Sequence, residues 1–366
     1  MLYYLVGIAL TILLCLYMSR TYYSAQGVLV RKFKTEHGIF VAIMPLALLA
    51  LLRWNVGADS LYKSAYWVSY HAAAKGMNDR GFEIGFFWFL RVLSFLKLPY
   101  FWVLFVHECV FLGFVCCAIN KGSTWVPWSI ALFFLTTMYF DSYSSLRQSL
   151  AEAISLLGWA IMGEDNNEKK NLKVAGLFLV AGMFHYTALL NIPVYLFSKI
   201  RFKNQRDLYI ITIIVVALSP VLQKAISAIM TLITGSKYNI LGVARVNILI
   251  SGVLCFLCWV NYGAICKLSR NAYLYANQSL LIFLLMLNSG AMFLPYRVFD
   301  MLKIGYIFII PMLICSIKNK KQQWITGVLI GGIFVATFIN YITLPGNPIA
   351  KYQTVFNDFW NCITAP

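Results

Sequence analysis

Ten apolar runs, each close to the length of a membrane-spanning helix, dominate this 366-residue chain. A bilayer core is crossed by about 20 apolar residues of helix. Only 12% of the residues are charged, against roughly 25% in soluble domains. These features exclude a soluble globular fold and predict an all-α, polytopic integral membrane protein. The predicted spans are 1–19, 39–54, 100–119, 124–140, 146–163, 207–230, 248–266, 276–294, 304–317 and 323–343.

Basic residues in the short loops predict how these spans are oriented. Lysine and arginine are enriched in cytoplasmic loops, and ten spans with the N-terminus outside place every basic loop on the cytoplasmic side. The chain then forms a single polytopic membrane domain over residues 1–366, with 55–99 as a long periplasmic loop and 344–366 as a periplasmic tail. The basic segments are RKFK (31–34), EKKNLK (168–173), SKIRFKNQR (198–206) and KNKK (318–321).

Two segments depart from a simple count of spans. The stretch FEIGFFWFLRVLSFL (82–96) is short, carries Arg91 and is followed by Lys97 and Pro99, so we expect an interfacial helix at the outer surface. Residues 171–203 carry basic residues at both ends and therefore predict a hairpin that turns near His185. Twelve or so helical residues rise roughly 18 Å, which would carry the tip past the midplane into the outer leaflet.

The net charge and the cysteine positions indicate which partners, metals and cofactors to expect. The net charge of +17 lies in loops and at helix ends, so we expect contact with membrane lipid and no nucleic-acid partner. The CFLC motif at 255–258 lies inside a span without a histidine or aspartate beside it. No Asp-x-Asp or His/Asp ligand spacing occurs, so we expect neither a metal nor a cofactor.

The stretch SYSSLRQSLAEA (142–153) places an arginine where a membrane helix begins. Ser145 and Gln148 have the spacing of a capping box, which predicts that the helix starts here. Arg147 then carries its charge at the unfavourable end of the helix dipole, and a bound anion would balance it. Free backbone N–H groups and the guanidinium together predict a phosphate site, with Gln148 oriented by Glu152.

Other polar residues are predicted on the same outer side. Pro295 ends one helix, Arg297 occupies the turn, and Asp300 caps the next helix. Ionisable groups near the membrane interior often mark functional sites, and two arginines with a histidine suit a pyrophosphate. The residues predicted at or just within the outer face are Arg53, Asp59, Glu83, Arg147, His185, Arg297 and Asp300.

Each of these residues also has a purely structural explanation. His107 and Glu108, adjacent within one span, are expected to pair with other helices. The remaining alternatives are snorkelling by Arg53 and Lys303, helix capping by Asp59, a surface ion pair of Glu83 with Arg80 or Lys97, a core position for His185, and a packing pair of Arg147 with Asp141 or Glu152.

Five motifs in fixed order resemble the EpsG-like branch of Wzy-type polysaccharide polymerases. They are RWNVGADSLYKSAY, GFEIGFFWFL, SLRQSLAEAI, MFHYTALLNIP and PYRVFDMLKIGYIFIIP, and the resemblance runs over roughly residues 40 to 315. It implies a fold like that of C-type glycosyltransferases in the bacterial inner membrane. It also implies polymerisation of O-antigen, capsule or exopolysaccharide units carried on undecaprenyl pyrophosphate. In relatives a proline often follows the acidic position before the aromatic run, whereas Glu83 is followed by isoleucine and glycine.

Within that class, the polar residues take definite roles. Arg147, Arg297 and His185, with Arg53 and Gln148, are expected to bind the pyrophosphate. A carboxylate would take the proton of the acceptor hydroxyl; Asp59 is the first choice and Glu83 the second. The expected partners are an undecaprenyl-pyrophosphate-linked oligosaccharide, membrane lipid and a separate chain-length regulator.

Two other classes of protein fit the same residues. An O-antigen ligase, or another lipid-linked glycosyltransferase, would use the same pyrophosphate site but form no polymer. A transporter of the lipid-linked oligosaccharide would move its substrate intact, although transporters usually show internal repeats and broken helices. A membrane acyltransferase would need a His–Asp pair or an Arg–His loop, which the sequence lacks.

Overall fold

The computed structural model describes residues 2–24, 29–61, 63–164, 170–202, 205–234, 245–288 and 295–344, together with 347, 352–354 and 356 of the tail. Most of the tail 344–366 and most of the loop 231–247, both considered as outer segments, therefore lie outside the described residues.

The first half of the chain forms eight helices and one small sheet. These elements are α1 (Leu2–Met18), β1 (Ser19–Tyr23), β2 (Leu29–Phe33), α2 (Gly38–Leu51), α3 (Ala65–Ala74), α4 (Ile84–Phe95), α5 (Tyr100–Gly122), α6 (Val126–Leu135), α7 (Met138–Asp141) and α8 (Leu146–Met162).

In the second half, every regular element of the described residues is a helix. The elements are α9 (Lys170–Phe184), a 3-10 helix (Tyr186–Leu190), α10 (Asn191–Ser198), α11 (Gln205–Thr234), α12 (Arg245–Val260), α13 (Tyr262–Ile265), α14 (Tyr273–Leu287), α15 (Pro295–Lys303), α16 (Tyr306–Ser316) and α17 (Lys320–Thr343).

The prediction of ten full-length spans is not confirmed. Among the described residues, only α5 and α17 are each long and apolar enough to cross a membrane, and Arg297–Lys303 with Tyr306–Ser316 would add a third span bent by 43°. Several other apolar runs form helices of only 10–17 residues. Such runs overestimate helix length because the backbone breaks inside them: Thr137, with φ 66°, separates α6 from α7 within the predicted span 124–140.

A two-stranded antiparallel sheet is the one departure from all-α structure in the described chain. The basic segment 31–34, expected as a loop, supplies β2, which pairs with β1 so that Arg31 faces Thr21. The β1–β2 hairpin lies against the connection between α5 and α6, where the Arg31 N–H donates to the Thr124 carbonyl at 3.0 Å. Lys32 also donates to the Lys121 carbonyl at 3.3 Å.

Contacts between loops divide the bundle into two ends and group the loops as the predicted topology does, so we name the two ends after that prediction. At the end that carries segment 31–34, hereafter the basic end, Lys121 pairs with Glu164 at 3.2 Å. At the opposite end, hereafter the outer end, the Trp54 N–H donates to the Gln353 carbonyl at 3.0 Å, so the described tail residues meet the start of the long outer loop.

The predicted hairpin near His185 is present in the structure. Helix α9 stops at Phe184, and the chain turns back through the 3-10 helix into α10. The Tyr195 hydroxyl donates to the Asn171 side chain, and the rings of Tyr195 and Phe178 lie 6.2 Å apart. A continuous helix would separate positions 171 and 195 by about 36 Å, so these contacts require a hairpin.

Helix α4 provides the amphipathic element predicted within residues 82–96. Phe86, Leu90 and Leu93 are buried, and α4 packs against α9. The opposite side leaves a row of large apolar side chains exposed, including Trp88 and Phe95. An apolar face without a protein neighbour is typical of a helix that lies in the membrane interface.

Helix α8 lies at the centre of the bundle and packs against both α5 and α9. Its sequence allows this close approach because serine, alanine and glycine occupy much of its surface. A Cβ at Gly158 would lie 2.6 Å from the Phe178 ring, so only glycine fits there without a shift. Helix α8 therefore holds its first turn, which carries Arg147, in a fixed position.

The outer loop begins with a glycine that no other residue can replace without strain. Gly57 has φ +100°, and a Cβ there would lie 1.9 Å from the Tyr143 carbonyl oxygen. We predict that Gly57→Ala sharply lowers the yield of folded, monodisperse protein in detergent. Gly81→Ala is the matched control, because Gly81 has φ +62° but no described atom within 4 Å of the added Cβ. It should cost only about 1–2 kcal/mol. Equal yields for the two variants would contradict this packing.

Candidate active site

Glu83, Arg147 and His185 meet at the outer end and form what we call the outer cluster. One carboxylate oxygen of Glu83 lies 2.8 Å from Nδ1 of His185. The other accepts a hydrogen bond from Nη1 of Arg147. The three residues come from the outer loop, the first turn of α8 and the tip of the hairpin, so the cluster joins three segments that are distant in sequence.

Arg147 is the second residue of α8, and the predicted start of this helix is confirmed. The predicted capping box is wrong: among the described residues, the Ser145 side chain makes no capping hydrogen bond. Gln148 instead donates to Glu152 at 2.9 Å, and both side chains are buried. A buried carboxylate that lacks a hydrogen-bond donor carries a large desolvation cost, which the Gln148 amide reduces. Gln148 therefore supports Glu152 inside the bundle.

The Arg147 guanidinium is oriented by more than its ion pair. Its Cζ lies 4.4 Å from the centroid of the Phe82 ring, and the Tyr66 hydroxyl hydrogen-bonds with it. The side chain is 20% exposed, so one side of the group remains open. Neither expected packing partner, Asp141 or Glu152, forms this pair; Glu83 does.

His185 occupies the turn of the hairpin and is 1% exposed. Its Nδ1 faces Glu83, whereas its Nε2 is buried without a hydrogen-bond partner among the described residues. The same holds for Nε of Arg147. Buried polar atoms are nearly always paired. The Arg147 Nε–H, which is always a donor, therefore indicates where a ligand with acceptor oxygens would complete the cluster.

Glu83 holds the Arg147 and His185 side chains in position. Burial raises the pKa of its carboxyl, but the hydrogen bond with His185 and the charge of Arg147 outweigh burial and lower the pKa to about 2. The group is thus ionised at neutral pH and strongly stabilised as an anion. A carboxylate in this state is a weak general base, and neither expected surface partner, Arg80 or Lys97, forms an ion pair with it.

Asp59 lies beside the outer cluster with its side chain exposed. Its charge acts on Tyr66, the residue whose hydroxyl bonds with Arg147. Its backbone carbonyl accepts from the Tyr66 N–H at 3.4 Å and from the Ser64 hydroxyl, which fixes this turn of the outer loop. Asp59 is therefore the exposed carboxylate next to the cluster.

Arg53 does not snorkel to the surface. It is 1% exposed and pairs with Glu108 at 2.7 Å, and its Cζ lies 4.2 Å from the centroid of the Tyr143 ring. One of its nitrogens donates to the Ser142 carbonyl at 3.2 Å. Arg53 thus serves the packing of the bundle, and no contact joins it to Glu83, Arg147 or His185 in the described chain.

The pair of Arg53 and Glu108 belongs to a buried network that supports the first turn of α8. His107, next to Glu108 on α5, has Nδ1 3.1 Å from that carboxylate. Its Nε2 donates to the Leu146 carbonyl at 2.9 Å, and the Ser149 hydroxyl lies 3.2 Å from the same nitrogen. The backbone on both sides of Arg147 is therefore tied to α5.

Arg297 lies within α15 and not in a turn before it, and its side chain is half-buried. Helix α15 packs against the 3-10 helix that follows His185, which brings Arg297 to the same end of the bundle as the outer cluster. Asp300 does not cap a helix. It pairs with Lys303 at 2.8 Å, and Lys303 also pairs with Asp141 at 2.8 Å instead of snorkelling.

Comparison with protein families identifies the chain's relatives at the level of a family. The EpsG family model matches residues 38–354, which include the outer cluster, the buried network and α15. No curated protein and no solved structure matches the chain.

The buried network predicts a large cost for removing one charge. Glu108→Gln leaves Arg53 buried without its counter-ion, which typically costs about 3–5 kcal/mol. Thermal unfolding in detergent should show this loss, and the double variant Arg53→Gln/Glu108→Gln should recover part of it. Glu164→Gln, which breaks an exposed ion pair with Lys121, should change stability by about 0–1 kcal/mol. If Glu108→Gln were as stable as the wild type, the network would have no supporting role.

The outer cluster predicts a specific pH dependence of stability. The pKa of Glu83 is about 2 in the folded protein, against an ordinary value of 4.5, so its stabilisation is complete above pH 4.5 and disappears as pH falls towards 2. Glu83→Gln should therefore be less stable than the wild type at pH 7, by on the order of 1–3 kcal/mol, and the difference should shrink below pH 4.5. Glu36→Gln, at an exposed position, should follow the wild type at every pH. A constant difference for Glu83→Gln would contradict the ion pair.

Proposed function

The chain belongs to the EpsG family of membrane proteins, relatives of Wzy-type polysaccharide polymerases, and we propose that it polymerises a bacterial polysaccharide at the periplasmic face of the inner membrane. The donor would be a glycan chain on undecaprenyl pyrophosphate, and the acceptor a new lipid-linked repeat unit. The observation that carries this proposal is the outer cluster: an arginine and a buried histidine held together by one carboxylate at the outer end of the bundle.

A pyrophosphate is chemically suited to the place that Glu83 fills. Its oxygens can accept hydrogen bonds from the Arg147 guanidinium and from an N–H of the His185 ring, the two groups that the Glu83 carboxylate now binds. The unpaired Nε of Arg147 and Nε2 of His185 add two nitrogens that face no described partner. Preorganised donors of this kind are typically worth about 2.7–4 kcal/mol each when negative charge develops on a leaving group.

The reaction that follows is a glycosyl transfer. The acceptor hydroxyl oxygen attacks the anomeric carbon of the donor, and the bond from that carbon to the pyrophosphate oxygen breaks. The bonding electrons leave with undecaprenyl pyrophosphate, whose charge Arg147, His185 and Arg297 stabilise. The hydroxyl proton passes to a carboxylate, a step usually worth about 10²–10⁴-fold in rate.

Asp59 is the better of the two candidate bases in this proposal. It is exposed beside Tyr66, whereas the Glu83 carboxylate already pairs with Arg147 and His185 and has a low pKa. Glu83 would instead orient Arg147 and His185 before the donor arrives. Gln148 would act indirectly through Glu152, and a separate chain-length regulator remains an expected partner.

Arg147 provides the decisive test. We predict that Arg147→Ala lowers polymerisation roughly 100- to 1000-fold, because it removes a charge-stabilising donor. Arg147→Lys keeps the charge but loses the planar donor geometry, so it should also be impaired. The measurement is the ladder of glycan lengths in a host that lacks the native gene, with protein abundance quantified in the same membranes. Arg80→Ala, which removes an exposed arginine of the same outer loop, should leave the ladder unchanged.

The outcomes separate the alternative functions. A normal ladder from Arg147→Ala at normal abundance would contradict the proposal, and loss of the protein itself would indicate a packing role. Reconstitution of the wild type with lipid-linked units should release undecaprenyl pyrophosphate as the ladder forms. Movement of intact lipid-linked sugar across the bilayer, without release, would indicate a transporter.

A further inference from the structure

A cavity of about 610 Å³ opens at the outer end, apart from the outer cluster. It is bounded by residues of α6, α7, α12, α15, α16 and α17. Its polar side consists of what we call the lysine cluster, which comprises Lys303, Asp141, Asp300 and Thr137. The glycosyl-transfer proposal above assigns no role to this cavity.

The lysine cluster gives the cavity fixed acceptors and no excess of positive charge, because one lysine is paired with two aspartates. The Lys303 ammonium lies 2.8 Å from each of the Asp141 and Asp300 carboxylates and 2.9 Å from the Thr137 hydroxyl. One cation is thus shared by two carboxylates. Asp141 and Asp300 remain 20% and 26% exposed, so both retain acceptor capacity towards the cavity. This arrangement disfavours an anionic ligand and favours a neutral ligand that donates hydrogen bonds.

Aromatic rings and amides complete the lining. Tyr306, Phe334 and Tyr341 line the cavity, and Asn247 and Asn340 bring amide groups that both donate and accept. Aromatic rings offer flat apolar faces, and the tyrosines add polar edges. The Tyr306 hydroxyl, in a side chain that is 1% exposed, approaches Ser251 but makes no hydrogen bond of ordinary geometry with the described residues.

We propose that this cavity binds carbohydrate, and that its occupant is the acceptor sugar of the new repeat unit. Sugars present hydroxyl groups to carboxylates and amides, and C–H faces to aromatic rings, and the lining of the cavity contains both kinds of group. This assignment rests on the proposed glycosyl transfer, because an acceptor exists only if the protein transfers sugar.

Helix α8 links the cavity to the outer cluster. The buried Glu152 carboxylate interacts electrostatically with Asp141, Asp300 and Lys303. Gln148, which donates to Glu152, directly follows Arg147 in the first turn. The lysine cluster and the outer cluster therefore border the first two turns of one helix. A sugar in the cavity and a pyrophosphate at Arg147 would be held by the same rigid element.

The test uses the oligosaccharide without its lipid. Single lipid-linked units are extracted from a host that lacks the gene, and mild acid releases their glycan from the pyrophosphate. The glycan, fluorescently labelled, is titrated into the purified full-length protein in nanodiscs. We expect the wild type to bind it and Asp300→Asn and Asn340→Ala each to bind about tenfold or more weakly. Arg147→Ala and Asp79→Asn, which lie outside the cavity, should bind the glycan like the wild type.

Asn340→Ala leaves the lysine cluster intact, so it decides the result if Asp300→Asn fails to fold. Failure of the wild type to bind the free glycan, or weaker binding in Arg147→Ala but not in Asn340→Ala, would overturn the assignment. Binding of the lipid-linked unit alone would assign the cavity to the lipid chain instead.

The polymerase proposal can fail separately. If glycan binding depends on Asn340 but no reconstitution yields a ladder, the result supports the carbohydrate site and contradicts the polymerase proposal. If a ladder forms while the wild type does not bind the free glycan, the result contradicts the assignment of the cavity and leaves the polymerase proposal supported.

Discussion

A buried charge must be paired, and the pairing of Glu108 organises the centre of this protein. The Glu108 carboxylate pairs with Arg53, which follows the end of α2, and with the neighbouring His107 on α5. The His107 ring in turn donates a hydrogen bond to the Leu146 carbonyl at the start of α8. Three helices are thereby fixed relative to one another just below the first turn of α8. Arg147 projects from that turn, so its position depends on a network that lies outside the outer cluster itself.

The outer cluster resembles a binding site that is already occupied by part of the protein. Glu83 supplies the negative charge that an arginine in the first turn of a helix requires. A pyrophosphate would compete for the same cationic groups with more charge and more acceptor oxygens. The proposed function therefore requires the Glu83 contacts to loosen as the donor binds. Until then, the ionised Glu83 carboxylate holds Arg147 and His185 together.

Sequence patterns anticipated part of this arrangement, for reasons that differ from residue to residue. The start of α8 and the hairpin at His185 follow from charge and hydropathy, which act locally. The pairing of Arg147 with Glu83 was not foreseen, because it joins residues 64 positions apart that only the tertiary fold brings together. The snorkelling alternative for Arg53 is wrong because the partner of Arg53, Glu108, lies on another helix, which the local sequence does not reveal. The apolar runs overestimated span length because hydropathy does not register a break such as that at Thr137.

The most direct measurement is a cryo-electron microscopy structure of the protein in nanodiscs with its lipid-linked repeat unit bound. We predict that the pyrophosphate lies within hydrogen-bond distance of Arg147 and His185 and that Glu83 no longer contacts both of them. A structure with the Arg147–Glu83 pair intact and the pyrophosphate bound elsewhere, for example at Lys303, would contradict it.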